Sequence, residues 1–287
     1  MKITLKDSQS IKDDVIVNDT ASKIISQMKG GVKKTKIYII DHETGKLIDT
    51  VENKILVPGS QVTACKQFGI EQVVPFPTYN LEMGLDNSYG PYEEQPHNIP
   101  ITCLWCVGQS GFANTPGEII AVDTKDRIAP VNDILPFRYV SNTDDLDYDQ
   151  RQTYFGRRTF VNGKIGYYFK KFDTEPMLHI RYLDGTEVGE NMWEVETPQD
   201  VEVFVEMRLS VTRLDFRDYF DQVLGWENAY INTVSLCTAW YSTHVTEDDG
   251  TKYRWYQDII PFSKFNFKNN DLTELNKAVD FIYQIYY

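Results

Sequence analysis

From Pro198 to Tyr287 the chain reads as one dense block of alternating and aromatic strand segments, closing on Phe281-Ile-Tyr-Gln-Ile-Tyr-Tyr287. A chain end frays unless it is paired into a sheet or docked on a partner. Three tyrosines and two isoleucines are costly to leave in water. The end is therefore expected to be a strand, with Ala278 to Tyr287 paired into a main sheet or a neighbour's edge. Asp200 to Thr212 predicts a long strand in the same body. Val201, Val203, Val205, Met207, Leu209 and Val211 fall on one face, and Glu202, Phe204, Glu206, Arg208 and Ser210 on a wetter one. Ala229 to Tyr241, Tyr253 to Ile260 and Phe262 to Phe267 add strands at sandwich-like spacing. Asp215 to Leu224 predicts a short helix stopped by Gly225.

The remaining sequence divides by composition. Residues 1–72 predict a small β-rich part, with a helix from Thr20 to Met28, a strand at Lys36-Ile-Tyr-Ile-Ile40 and a hairpin partner from Lys46 to Val51. Residues 73–154 are interrupted by Pro75, Pro77, Pro91, Pro96, Pro100 and Pro116 and predict an irregular extended segment carrying one strand, Ile99 to Val107. Residues 155–287 predict the sandwich domain. Within it, Asn162-Gly163 and Asp184-Gly185 predict two-residue type I′ hairpin turns. The expected fold class is mainly β, with a β-sandwich or jelly-roll-like body, one or two short helices and the long irregular segment.

Charge and composition narrow the function. The 287 residues carry 42 acidic against 29 basic side chains, a formal charge of −13, opposite in sign to what phosphate-backbone or anionic-membrane binding requires. The start, Met1-Lys-Ile-Thr-Leu-Lys-Asp, lacks a signal-peptide pattern, and no apolar run reaches the ~18 residues of a membrane span. Synthesis in a cytoplasm, with the four cysteines kept as thiols, is the expectation. Eighteen tyrosines and fifteen phenylalanines favour strands and contact surfaces alike.

The motifs favour structural over chemical readings. Cys103-Leu-Trp-Cys106 lies in an apolar strand-like run rather than at a helix start, where the dipole would lower a thiol pKa, and Cys65 and Cys237 lack zinc spacing. Asp145, Asp147 and Asp149 alternate like the start of a calcium loop. Gln150, however, stands where the loop needs Gly, and Gly156 where it needs the bidentate Glu. An acidic loop facing a basic partner is the better reading. The histidines are scattered, Gly108-Gln-Ser-Gly111 is not a nucleophile elbow, and no phosphate-cradling loop is present. No catalytic residue, metal or cofactor is expected. Trp240 and Trp255, beside Tyr241, Tyr253 and Tyr256, would stack on a sugar if exposed; at period-2 spacing they more readily fill a core.

Tyr154-Phe-Gly-Arg-Arg158, Tyr167-Tyr-Phe-Lys-Lys-Phe172, Asp215-Phe-Arg-Asp-Tyr-Phe220, Ile231-Asn-Thr-Val-Ser-Leu-Cys-Thr-Ala-Trp-Tyr241 and Tyr283-Gln-Ile-Tyr-Tyr287 resemble stretches of virion structural proteins from tailed bacteriophages. The resemblance covers about half of the chain. It implies a non-enzymatic particle component of the head, neck or tail, made in the host cytoplasm and located in the virion. Its partners would be other virion proteins and copies of itself, with no direct contact to nucleic acid or membrane. On that reading Tyr283, Tyr286, Tyr287 and the Asp145, Asp147 and Asp149 loop are the candidate partner contacts. The rival is a carbohydrate- or receptor-binding sandwich using Trp240 and Trp255.

Overall fold

A computed structural model describes residues 34–52, 54–70, 78, 79, 83–85, 100–109, 111–115, 118–121, 134–147, 149–188, 201–245, 250, 252–271 and 278–287. The fold is mainly β, built from two antiparallel sheets. The first has five strands in the order β10 (Met177–Tyr182), β11 (Val201–Thr212), β14 (Ala278–Tyr286), β1 (Lys34–Asp41) and β2 (Leu47–Glu52). The second runs β3 (Lys54–Ile55), β13 (Lys252–Asp271), β12 (Tyr230–Val245), β4 (Ile101–Gly108), β9 (Lys164–Lys171) and β7 (Arg138–Ser141), with β8 (Tyr154–Thr159) also paired to β9. A separate hairpin joins β5 (Phe112–Thr115) to β6 (Glu118–Ala121).

The sheets face each other across one core. Ile37 and Ile39 of β1, Met207, Leu209 and Val211 of β11, and Val279, Phe281, Tyr283 and Ile285 of β14 meet Trp105 and Val107 of β4, Val234 and Leu236 of β12, and Phe262, Phe265 and Phe267 of β13. The period-2 pattern of each strand selects these side chains, because successive residues point to opposite faces. The other face of the seven-stranded sheet holds a second cluster, including Leu104, Cys106, Phe155, Phe169, Tyr256 and Ile259, with Tyr79 and Leu85 packed into it. That sheet is buried on both sides.

The expected C-terminal strand is β14, and its place is internal: Phe281 pairs with Ile39 of β1 on one side and Leu209 of β11 on the other. Helix α1 (Val57–Phe68) lies against β13 so closely that a Cβ on Gly59 would collide with the Phe262 carbonyl oxygen. Helix α2 (Arg213–Tyr219) continues into a π turn, Phe220–Leu224, and Gly225 with φ 77° ends it at the expected residue. The helix expected from Thr20 to Met28 lies outside the described residues. Within 73–154 the described residues hold β5, β6 and β7 besides the one strand expected there, β4.

Two local expectations are corrected. Tyr253–Ile260 and Phe262–Phe267, expected as two strands, form one, β13; Pro261 between them sits between two irregularities of the β12–β13 register, where its missing N–H removes no regular rung. Asp258, at φ 51°, marks that bulge. The two Asx-Gly turns are not type I′, since neither Asn162 nor Asp184 has a positive φ. Each is a three-residue connection: the Gly163 N–H donates to Phe160 O and Phe160 N–H to Lys164 O, and Gly185, Tyr182 and Thr186 repeat the pattern. Only the glycine is left-handed, at 75° and 91°, as in a type I turn followed by a G1 bulge.

Candidate functional site

The polar chemistry of the described residues concentrates in three places, one around a half-buried carboxylate and two around buried ones. The first is the acidic turn. Asp145 accepts from Tyr167 Oη at 2.7 Å, Leu146 N at 2.8 Å, Arg151 Nη2 at 3.0 Å and Arg157 Nε at 3.2 Å. Burial pushes its carboxyl pKa up, but these donors outweigh burial and hold it below the usual carboxylate range. Asp147 accepts from the Gln150 N–H instead. The alternating aspartates are thus not one acidic surface, because Asp145 is turned inward to tie the turn to β8 and β9.

The second place is the outer face of the five-stranded sheet. Asp280 of β14, 2% exposed, accepts from Ser210 Oγ at 2.6 Å, lies 3.0 Å from His42 Nδ1 and is paired with the Arg208 guanidinium. Burial raises its pKa, and the three donors bring it below the ordinary value. Ser210 and His42 both meet the carboxylate rather than each other, so this is not the geometry of a serine nucleophile activated by histidine.

The third is a seam between the sheets. Register places Lys170 of β9 between Trp105 of β4 and Tyr154 of β8. Its ammonium group reaches across the sandwich to Ser210 O at 3.0 Å, Asp173 Oδ1 at 3.2 Å and Asp215 Oδ1 at 3.5 Å. Asp215 caps α2: its Oδ2 accepts from Thr212 N at 2.8 Å and Thr212 Oγ1 at 2.9 Å, while Oδ1 accepts from Tyr154 Oη at 3.1 Å. Burial and the Asp215 carboxylate push the Tyr154 hydroxyl well above the usual tyrosine range. Lys170 and Asp215 are 8% and 6% exposed. Sequence reasoning missed this seam, because Lys170 turns inward only through a register shared with β4 and β8.

The other expected site residues fall as follows. Tyr283 is 0% exposed and hydrogen-bonds Ser263 Oγ at 2.8 Å in the core, so it presents no surface to a partner. Tyr286 is buried against Phe204, ring centroids 4.9 Å apart, and gives its hydroxyl proton to Gln284 Oε1. Tyr287 is 41% exposed. Asp149 lies in a turn before Gln150–Gln152. Trp240 is 9% exposed; the Trp255 side chain lies outside the described residues.

Cys103, Cys106 and Cys237 are buried free thiols. Cys106 and Cys237 have sulfurs 4.0 Å apart, but Cys106 pairs with Ser235 and Cys237 with Leu104, a diagonal relation whose Cα separation of about 7–8 Å exceeds disulfide reach. Burial pushes the Cys237 thiol far up. A cleft of about 370 Å³ opens beside Cys103, lined also by Thr102, Phe172, Asp173, Glu175 and Tyr256. Among the described residues no group of three or more His, Cys, Asp or Glu side chains could hold a metal ion, and no helix is long and apolar enough to cross a membrane.

The class that fold and site define is a mainly β protein of two facing antiparallel sheets. No family profile matches the chain, and neither a curated protein nor a solved structure does.

Proposed function

We propose that the chain is a non-enzymatic structural component of a tailed-bacteriophage particle, assembling in multiple copies with other virion proteins. The sequence resemblance supports the phage context. The observation that carries the assembly reading is the exposure of apolar side chains on both edge strands of the five-stranded sheet. Met177 and Leu178 of β10 are 55% and 64% exposed, and Leu47 and Ile48 of β2 are 52% and 50% exposed. The return of the Asp184-Gly185 turn already meets β10 at its Ile180–Tyr182 end, where Val188 N–H donates to Ile180 O; apolar side chains on the outermost strands of a sheet are a template for another chain. The aspartates of these clusters support the same reading, since half-buried Asp145 and buried Asp215 and Asp280 take donors from this chain and hold turns, caps and sheets together. Trp240, buried, offers no platform to a sugar.

Mass spectrometry and immunogold labelling of purified particles test the location: the protein should occur in multiple copies at one structural position. Its absence from particles would overturn the phage reading. Sedimentation of the purified chain tests the edges. A Met177→Lys, Leu178→Asp variant should keep its fold and lose concentration-dependent association; unchanged association would remove the edge from the proposal.

A further inference from the structure

The geometry points to an autocatalytic amide bond between Lys170 Nζ and Asp215 Cγ, a covalent staple joining β9 of the seven-stranded sheet to helix α2, which follows β11 of the other. An amine and a carboxyl group with Nζ 3.5 Å from Oδ1 are within reach of a small side-chain rotation, and both are nearly dry. A second carboxylate, Asp173, lies 3.2 Å from the same nitrogen. The ammonium therefore faces two carboxylates, Asp215 buried and Asp173 on the solvent side, with aromatic side chains beside it. Trp105 lies under it at 5.8 Å, and Phe137 stacks on Phe216 beside Asp215.

Every contact in the seam suits the reaction. After the Lys170 proton passes to Asp215, Nζ attacks Cγ. Charge that develops on Oδ2 meets the Thr212 N–H and hydroxyl, donors already at 2.8 and 2.9 Å, in the manner of an oxyanion hole. Asp173 takes the second amine proton and delivers it to Oδ1, whose departure the Tyr154 hydroxyl assists from 3.1 Å. The N–C bond forms, the C–O bond to Oδ1 breaks, and one water leaves; no oxidant or cofactor is involved. The product retains the contacts of the seam: the amide carbonyl still caps α2, and the remaining amide N–H still faces Ser210 O. The staple closes the chain from 170 to 215 and restricts the unfolded state as a disulfide would.

Intact-mass measurement of the full-length folded protein, followed by tandem spectrometry of its tryptic peptides, tests this directly. The expected result is a mass one water below the sequence mass, with a branched peptide linking Lys170 to Asp215. Lys170→Arg should have full mass. Asp173→Asn, checked for a cooperative melt, should lose most of the deficit; a complete deficit there would overturn the role given to Asp173. Full sequence mass in the wild-type protein after prolonged incubation at neutral pH would overturn the bond itself. So would a deficit with no branched peptide that mild alkali reverses, since that marks a succinimide at Asp184-Gly185.

Discussion

Strands β14 and β10 belong to one sheet and are similar on paper, short segments rich in isoleucine, leucine, methionine and tyrosine, yet they occupy opposite situations. β14 has a neighbour on each side and buries Val279, Phe281, Tyr283 and Ile285 in the core. Among the described residues β10 is the outermost strand, met only by the short return at 186–188, with Met177 and Leu178 more than half exposed. Apolar content is thus a poor guide to what a strand contributes. Contribution follows from whether both ladders and the inward face are occupied, which makes β14 the keystone of the fold and β10 a surface.

The largest effect that would sharpen this contrast is deletion of Ile282 to Tyr287. It removes Tyr283 and Ile285 from the core and Tyr286 from Phe204, each worth about 1.5–3 kcal/mol when buried, against a total stability of roughly 5–15 kcal/mol. The truncated chain should aggregate or lose its cooperative melt; an unchanged melting temperature would break the comparison at its stronger end.

A single cut in the same strand is milder. Phe281→Ala should cost about 3–5 kcal/mol in chemical denaturation, with an unchanged m-value.

The seam ranks close behind. Asp215→Ala removes the α2 cap and leaves Lys170 buried with one partner fewer, so a loss of about 3 kcal/mol is expected, measured by the same unfolding curves.

Acid should act on β14 as well. The folded pKa values of Asp280 and Asp145 are depressed, so the stability they confer is present above the unfolded value of about 3.9 and is lost as pH falls through the folded pKa. Melting temperature should drop below about pH 4, and Asp280→Asn should flatten that drop while lowering stability at neutral pH.

The smallest effect belongs to the edge. Leu178→Ala should change stability by no more than about 0.5 kcal/mol; a loss as large as that of Phe281→Ala would show that β10 is not a free edge.

What was legible depended on range. The terminal strand, the strand at Lys36–Ile40 with its hairpin partner, the long strand before Thr212 and the stop at Gly225 are written in period and punctuation, local signals that survive any packing. The split of 253–267 into two strands and the type I′ expectation for the Asx-Gly turns failed because a residue's local preference does not say whether the ladder around it is regular. A bulge absorbs a proline, and one left-handed glycine suffices where two left-handed residues were expected. The candidate site was not legible at all. Nothing near Lys170 in the sequence mentions Asp215, and nothing near Asp280 mentions His42.

The sequence by itself determined the fold class, through strand-length apolar and alternating segments, and the charge sign of the molecule. Tertiary structure alone decided which strands became central, because sheet order is set by non-local pairing: β1 and β11, 34–41 and 201–212 in the chain, meet only on β14. It also decided which charges were buried. A lysine or aspartate on a strand is polar in any sequence reading; only the register across β4, β9 and β8 turned Lys170 inward, where low solvent access makes its partners matter.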